Sequence, residues 1–424
     1  MPTETLEADA LDEGALASLA APADDVAVYL HIPPCTGRCS FCHYAIVVNP
    51  EQAEVDRYLE ALKAELRTKA PRWRTVGSVL VGGGTPTYLS ASELDDVLSA
   101  LRDATEVPKG VEFTVESSPE TLASDKLQIL LRHGFNRLNT GIQSFQAPLL
   151  RTLARRHDAA GARHAVELAR SEGVPNVNID LIYALPGQSL RAWIDDLLTA
   201  AHLGTESITT YHLRKRPETG ISKYESPEDN LNLLMKVCAV QVLGQRGYRE
   251  SMPDNFCRDD QATAMAQARD KWRDMVATEG AGQSACSRRP DATGMNVEDL
   301  GEYVRRIEAG QSALSSARSL SINDQMRQRA MFALRVLDDD GGLDHAVFAR
   351  EFGVSAREVF SERITELEAV GLVHDDGRVL RLTEAGVLFA DEVCERFYPD
   401  ELLEGIRDRM SVRDLAKRAP LRTA

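Results

Sequence analysis

Val28-Tyr29-Leu30-His31-Ile32-Pro33-Pro34 runs directly into Cys35-Thr36-Gly37-Arg38-Cys39-Ser40-Phe41-Cys42. The reading of that junction decides the rest of the chain. The first part is a mostly apolar run of strand length, stopped by prolines that cannot continue a hydrogen-bonded ladder. The second carries three cysteines spaced C-x3-C-x2-C on a loop that contains Gly37. Three thiolates this close can converge on one metal centre, and an iron–sulfur cluster is the favoured one. Zinc is the competing reading, because soft thiolates bind it too, but a structural zinc wants a fourth Cys or His. His43 adjoins Cys42 and is poorly placed to close the same tetrahedron. With three protein ligands, one iron of a 4Fe–4S cluster stays open to a small molecule.

Outward from this loop the pattern repeats. Strands are expected at Val26–His31, Val76–Val81, Val111–Glu116, Arg137–Ile142, Val177–Tyr183 and Ser207–Leu213. Helical patterns lie near 52–70, 91–104, 120–133, 158–172, 188–203 and 228–246. Strands alternating with helices imply parallel pairing through helical crossovers. The fold class expected is α/β, a partial (β/α)6 TIM-like barrel over 26–245, with its site at the C-terminal ends of the strands. Residues 1–25 read as a flexible acidic leader. Residues 246–324 read as an extension and linker, with Gly280–Thr293 as loop and Gln311–Asp324 as the linker proper. From 325 to 424 the outline is winged-helix-like: helices near 325–337, 344–352 and 355–370, two short strands flanking Asp375-Asp376-Gly377, and a mildly basic helical tail over 401–424.

Composition limits the partners. Of 424 residues, 49 are Lys or Arg and 65 are Asp or Glu, a net charge of −16 that argues against binding nucleic acid through its phosphates. Residues 327–400 hold nine Arg, no Lys and sixteen acidic residues. A recognition helix for DNA does not carry that balance, so the winged-helix-like part reads as a lid or scaffold. Aromatic residues make up 6%, which leaves no stacking platform for single-stranded RNA. No apolar run reaches the ~18 residues that span a bilayer, and the acidic, Ala-rich start is unlike a secretion signal. The expected location is the reducing cytoplasm, where seven cysteines mean metal or chemistry rather than disulfides. Cys238, Cys257, Cys286 and Cys394 lack ligand spacing; Cys286 follows a glycine loop and is the one of these that could reach the pocket.

Further motifs follow the cysteine loop at successive strand ends. They are Gly82-Gly83-Gly84-Thr85-Pro86-Thr87, Glu116-Ser117-Ser118-Pro119, Gly141-Ile142-Gln143-Ser144-Phe145, Asn178-Ile179-Asp180-Leu181-Ile182-Tyr183 and Ala184-Leu185-Pro186-Gly187-Gln188. Together with Tyr29–Pro33 and the cysteines, this order resembles the HemN-like branch of the radical S-adenosylmethionine (SAM) superfamily, from about Val28 to Tyr248. A weaker echo lies at Gly280-Ala281-Gly282-Gln283-Ser284. The resemblance implies a 4Fe–4S cluster on Cys35, Cys39 and Cys42, with SAM on its open iron. It implies that Tyr29, Glu116, Gln143, Arg155 and Asp180 hold SAM, and that Gly83, Gly84 and Thr85 offer backbone to its methionine part. The resemblance, through the family's spacing from Gln143, picks Arg155; Arg151 and Arg156 compete for the same carboxylate. A carboxylate among apolar neighbours, as Asp180 is, needs a hydrogen-bond partner, and a ribose hydroxyl is the expected one. Phe41 is expected against adenine or the cluster.

Within this branch the reading Cys42-His43-Tyr44 resembles the class C methyltransferases. Tyr44 stands where the oxygen-independent coproporphyrinogen dehydrogenases carry a fourth cysteine. The haem chaperones usually carry Asn-x-x-Tyr-Trp where this chain has Ala268-Arg269-Asp270-Lys271-Trp272. Class C chemistry implies two SAM molecules. The methyl group of one becomes a methylene radical that adds to an sp2 carbon of a small or peptide-borne heteroaromatic substrate. Tyr211 and His212, at the end of the sixth strand, are the acid–base candidates; Arg214, Lys215 and Arg216 could clamp an anionic substrate. The expected partners are that substrate and a reductant such as flavodoxin or ferredoxin, without nucleic acid or membrane, on a monomer. A haem chaperone, a cyclopropanase, a haem-opening enzyme and a coproporphyrinogen dehydrogenase are the alternatives.

Overall fold

The structure is a computed structural model, and it describes residues 11–258 and 271–399. The start of the expected leader (1–10), residues 268–270 of the stretch before Trp272 and the tail 401–424 lie outside the described residues. The chain divides into two compact units, the second comprising 320 onward with 250–255 and 271–275.

The first unit is built on six parallel strands: β1 (Val26–Ile32), β2 (Val76–Gly83), β3 (Glu112–Ser117), β4 (Arg137–Gln143), β5 (Asn176–Tyr183) and β6 (Ser207–His212). They lie side by side in chain order. Between and after them run the expected helices, with α1 (Glu13–Ala20) preceding the barrel. These are α2 (Gln52–Lys69), α3 (Ala91–Ala104), α4 (Ser124–Arg132), α6 (Ala159–Ser171), α7 (Leu190–Leu203) and α8 (Asp229–Gly244), with a short α5 (Ala147–Thr152) that the sequence pattern does not predict. The array is the α/β fold of a partial (β/α)6 barrel.

Each strand splits its residues between two environments, because successive side chains point to opposite faces. On one face Val28, Leu30, Val79, Val81, Phe113, Val115, Leu138, Ile142, Val177, Ile179, Leu181 and Ile208 join the apolar core beneath the helices. The other face is polar: Tyr29 and His31 on β1, Glu116 on β3, Asn139 and Gln143 on β4, Asn178 and Asp180 on β5, Thr209 and Tyr211 on β6. Register brings these together, with Glu116 opposite Asn139, Asn139 opposite Asn178, and Asp180 opposite Thr209. Parallel strands are normally apolar on both faces. A polar inner face marks a cavity lined for a ligand.

Three stretches differ from the sequence expectation. Residues 11–25, assigned to a flexible leader, contain helix α1, capped by Asp12 accepting from Ala15 N at 2.7 Å. Its apolar residues Ala15 and Leu19 bury against Ala292 and Ala317. The expected loop 280–293 and linker 311–324 are largely structured. They contribute β7 (Thr278–Ala281), β8 (Cys286–Arg288), β9 (Ala292–Asn296) and β10 (Leu314–Ser319). β7 pairs parallel with β1, and β8, β9 and β10 follow antiparallel. Small and polar residues hid these strands. They are held by buried charge: Glu279 pairs with Arg289 at 2.7 Å. Glu65 of α2 accepts from Gly282 N (2.7 Å), Asn296 Nδ2 (2.9 Å) and Tyr303 Oη (2.7 Å).

The second unit has a winged-helix outline. Helices α9 (Ile322–Ala333), α10 (His345–Phe352), α11 (Ala356–Val359) and α12 (Ser361–Ala369) accompany strands β11 (Leu343–Asp344), β12 (Val373–Asp375) and β13 (Val379–Leu382), with β13 central. The wing turns on Asp376, which accepts from Arg378 N at 2.8 Å and Val379 N at 2.7 Å. Its arginines are engaged internally: Arg357 with Asp375, Arg335 with Asp391, and Arg329 with Glu351 at 3.2 Å. Among the described residues no helix is long and apolar enough to cross a membrane.

Candidate active site at the strand ends

The cysteine loop is fastened on several sides. Asn49 N donates to Cys35 O at 2.9 Å and Cys42 N to Cys39 O at 3.1 Å. Ser40 N donates to Leu153 O at 3.0 Å, and Ser40 Oγ to Thr152 O at 2.8 Å. Burial pushes the Cys35 thiol up to about 11, and Cys42 and Cys39 push the same way; Cys42 is also raised by burial, with Cys39 adding to it. Two thiols, Cys35 and Cys42, whose ionisation burial and neighbouring thiols oppose fit a centre whose own positive charge stabilises thiolates. Among the described residues no three His, Cys, Asp or Glu side chains are set to hold a single metal ion.

Beside the cysteines lies the glycine run. A Cβ on Gly82 would meet Glu116 Oε2 at 2.7 Å, one on Gly83 would meet His31 Cε1 at 2.6 Å, and one on Gly84 would overlap the Pro33 carbonyl. Gly83 also has φ +110, which an L side chain resists. Gly83 N donates to Glu116 Oε2 at 3.1 Å, and Thr85 Oγ1 lies 3.4 Å from Cys35 Sγ. Thr85 therefore faces Cys35.

The polar inner face supplies the rest. Tyr29 Oη is 2.9 Å from His31 Nδ1, and His31 Nε2 is 2.9 Å from Ala45 O. A carbonyl can only accept, so Nε2 carries the proton and Nδ1 accepts from the phenol. Burial lowers the His31 pKa, which keeps that neutral tautomer. Asn178 Nδ2 donates to Asp180 Oδ1 at 2.8 Å, and its Oδ1 accepts from Ser207 Oγ at 2.8 Å. Burial, then the charge of Glu116, raises Asp180 to about 7. Burial also raises Glu116. Gln143 has φ +72, and Ala184, just after β5, has φ +62. Strained backbone at two neighbouring strand ends is held where a site needs its shape.

Arg155 stretches across this floor. Its guanidinium donates to the Gly141 carbonyl, to Ser118 Oγ at 2.7 Å and to Cys39 Sγ at 3.1 Å. Arg156 instead lies against Gly37 of the cysteine loop, and Arg151 is exposed. Phe41 packs on Leu149, Leu153, Ile182, Leu185, Leu213 and Ile221. Tyr211 shares the inner face with Asp180. Half of its surface is open, 51%; burial raises its pKa well above 10, with Asp180, Tyr44 and Glu116 adding to it. The phenol therefore keeps its proton and is able to donate a hydrogen bond. His212 alternates to the outer face, its ring 5.3 Å from that of Tyr183, which packs on Trp193. The sixth strand so separates the two acid–base candidates, and His212 does not share the cavity face. Cys286 is exposed and near enough to Tyr29 to act on its charge; Cys238 is half-buried and Cys257 and Cys394 are buried.

The polar atoms left over test the fit to a bound cofactor. On the inner face, Gln143 Oε1, Asn139 Oδ1 and Arg155 Nε are buried without a hydrogen-bond partner. Unsatisfied buried groups are costly and call for a partner. Acceptors and a guanidinium donor, beside a glycine cradle and three thiols, fit a zwitterionic ligand on a thiolate-bound cluster.

Two supports were missed in the sequence. Asp196 of α7 accepts from Ser144 Oγ (2.6 Å), Phe145 N (2.9 Å) and Gln146 Nε2 (3.0 Å), and so fixes the turn that carries Gln143. It lies on the buried stripe of Trp193, Leu197 and Ala200; a carboxylate at that helical spacing was a legible signal. Glu120 accepts from Ser118 Oγ at 2.5 Å and Thr36 Oγ1 at 3.3 Å, and lies 3.4 Å from His157. Burial would raise it, but His157, Ser118 and Arg155 hold it down at about 2. Nothing in the sequence pattern marks it.

Comparison with known proteins agrees with this layout. Residues 29–200 match the family model described as the radical SAM superfamily, and residues 320–389 the HemN C-terminal domain. The chain is 28% identical over 400 residues to "Oxygen-independent coproporphyrinogen III oxidase" of Escherichia coli strain K12, covering 89% of this chain and 86% of that protein. It is 27% identical over 384 residues to "Heme chaperone HemW" of Lactococcus lactis, covering 88% and 97%. The solved structure of coproporphyrinogen III oxidase (HemN) from Escherichia coli superposes with a TM-score of 0.83 at 26% identity, over 93% of this chain and 95% of that one.

Proposed function

We propose that the chain, which matches the radical SAM superfamily over residues 29–200 and the HemN C-terminal domain over 320–389, uses the 4Fe–4S cluster and SAM of that family as a class C radical SAM methyltransferase that C-methylates a (hetero)aromatic ring. The observation that carries this reading is Tyr44. It follows Cys42 by two residues, where a fourth cysteine would stand, and it remains 59% exposed. Burial raises its phenol to about 12, with Glu116, Cys42 and Asp180 adding to it. Tyr44, Tyr211, Glu116 and Asp180 are near enough to act on one another's charge, and two open phenol rings suit a flat, aromatic acceptor.

When bound, the cluster and one SAM supply the electron and the 5′-deoxyadenosyl radical, and a second SAM supplies the methyl group. The chain's part is placement. Cys35, Cys39 and Cys42 would hold the cluster. Gly82–Gly84, Arg155 and Gln143 would hold the amino acid end of SAM, and Asp180 and Glu116 its hydroxyl or ammonium groups. Tyr29 is fixed by His31 at the wall. Tyr211 would act as a donor toward the acceptor ring. The names of the relatives favour a second reading, porphyrin or haem handling, with the chaperone covered over 97% of its length.

The test is incubation of anaerobically reconstituted protein with methyl-deuterated SAM, a reductant and candidate ring acceptors, followed by mass spectrometry of 5′-deoxyadenosine. Deuterium in that product is expected. Unlabelled 5′-deoxyadenosine rejects methyl transfer; tight haem binding without SAM turnover favours the second reading.

A further inference from the structure

We propose that Arg137 is a positioning residue for SAM: a one-way chain of hydrogen bonds from its guanidinium, through Ser207 and Asn178, fixes Asp180 as an acceptor for a hydroxyl of the bound molecule. This deepens the reading above and rests on the place it gives Asp180.

Arg137 opens β4 and Ser207 opens β6, so both stand at the strand starts, whereas the cysteine loop follows the other end of β1. Asn178 lies opposite Ser207 in the ladder, and Asp180 opposite Thr209. Arg137 is 2% exposed. Its Nε is 3.9 Å from Glu112 Oε1, too far for a hydrogen bond. Its Nη1 reaches Ser207 Oγ at 3.3 Å and Asn176 Oδ1 at 3.4 Å. A charge buried this deeply, with so loose an ion pair, adds little to stability by itself. What it does is set the direction of the groups in front of it.

That direction follows from donor chemistry. A guanidinium only donates. Ser207 Oγ therefore receives from Arg137 and gives its own hydrogen to Asn178 Oδ1, 2.8 Å away. Thr209 Oγ1 donates to the same oxygen at 3.2 Å. With its carbonyl so occupied, the Asn178 amide presents Nδ2 to Asp180 Oδ1 at 2.8 Å. Asn178, Ser207 and Thr209 are buried, and in such surroundings each bond of a chain polarises the next. A reversed amide would set Asn178 Oδ1 against Asp180, acceptor to acceptor, unless the carboxyl took a proton and became a donor. Asp180 is poised between those two forms. Burial and Glu116 raise its pKa to about 7, while Asn178 and Arg137 pull it down. The chain selects the acceptor form, which takes a hydrogen bond from a ribose hydroxyl.

The experiment is calorimetric titration of SAM into anaerobically reconstituted protein, in a double-mutant cycle of Ser207→Ala and Asp180→Ala. Ser207→Ala is expected to weaken SAM about 5-fold in the wild-type background, the scale of one hydrogen bond. In the Asp180→Ala background it should cost less than about 2-fold, because the chain then ends on nothing. Arg137→Lys, which still only donates, should stay near wild type, whereas Arg137→Met should match Ser207→Ala. Ser207→Ala removes a single oxygen, and unchanged iron per chain and circular dichroism report an intact barrel. Equal losses in both backgrounds would leave Ser207 a purely structural role and overturn the chain, as would unchanged affinity in Ser207→Ala. Wild-type affinity in Asp180→Ala would remove the chain together with the place assigned to Asp180. None of these titrations needs turnover. Coupled losses with no deuterium leaving the SAM methyl group would keep the chain and reject methyl transfer.

Discussion

Asp180 should destabilise the empty protein, and removing its charge should reveal by how much. Burial and Glu116 raise its pKa from 3.8 to about 7. A carboxyl group whose folded pKa is raised contributes most stability below its unfolded pKa and loses it as pH rises through the folded one. The window here runs from about pH 4 to about pH 7. A shift from 3.8 to about 7 at 1.36 kcal/mol per unit gives about 4 kcal/mol above pH 7. Solvent reaching this half-buried group, and its coupling to Glu116, reduce that to about 2 kcal/mol. Asp180→Asn keeps the shape without the charge. Free of SAM, the variant should be more stable than wild type by about 2 kcal/mol at pH 8 and by less than about 1 kcal/mol at pH 5. Thermal unfolding at the two pH values measures this as a rise in midpoint of several degrees at pH 8. SAM affinity should fall roughly 10-fold or more, because a charged acceptor is lost. An Asn variant that is no more stable at pH 8, or equally stabilised at both pH values, would refute the reasoning.

Asp196→Ala should cost on the order of 3 kcal/mol, since Ser144, Phe145 and Gln146 lose a buried acceptor together; a loss below about 1 kcal/mol in unfolding experiments would show that the turn holds itself. Gly84→Ala should lower cluster content, read as iron per chain, because its Cβ overlaps the Pro33 carbonyl beside Cys35. Cys39→Ala should abolish the 4Fe–4S absorbance while far-ultraviolet dichroism stays native; a full iron count would reject the ligand assignment. Glu120→Gln should weaken SAM binding by about 10-fold with iron content unchanged, through loss of the anion behind Ser118 and Arg155; unchanged affinity would limit Glu120 to a structural role.

The sequence by itself determined the β/α order, because strand and helix periods are local. The six strands and their helices lie within a few residues of where the pattern put them. It also put three thiols within eight residues on the loop after β1, since that spacing is local. The inner, polar face was written into strands such as Asn178-Ile179-Asp180-Leu181, where alternation separates cavity from core. Local patterns do not carry pairing across the chain. Residues 278–319 look like loop until β7 joins the edge of β1 and the buried carboxylates Glu65 and Glu279 find their partners. Residues 11–25 look unstructured until Ala15 and Leu19 meet Ala292 and Ala317. Tyr211 and His212 are equivalent candidates in sequence; only the sheet decides that one faces Asp180 and the other Tyr183. Arg155 and Arg156 are likewise adjacent in the chain, and the folded backbone sends one across the strand ends and the other onto Gly37. A side chain's type is fixed by the sequence, whereas the direction in which it spends its charge depends on the sheet, and on what the rest of the chain places opposite it.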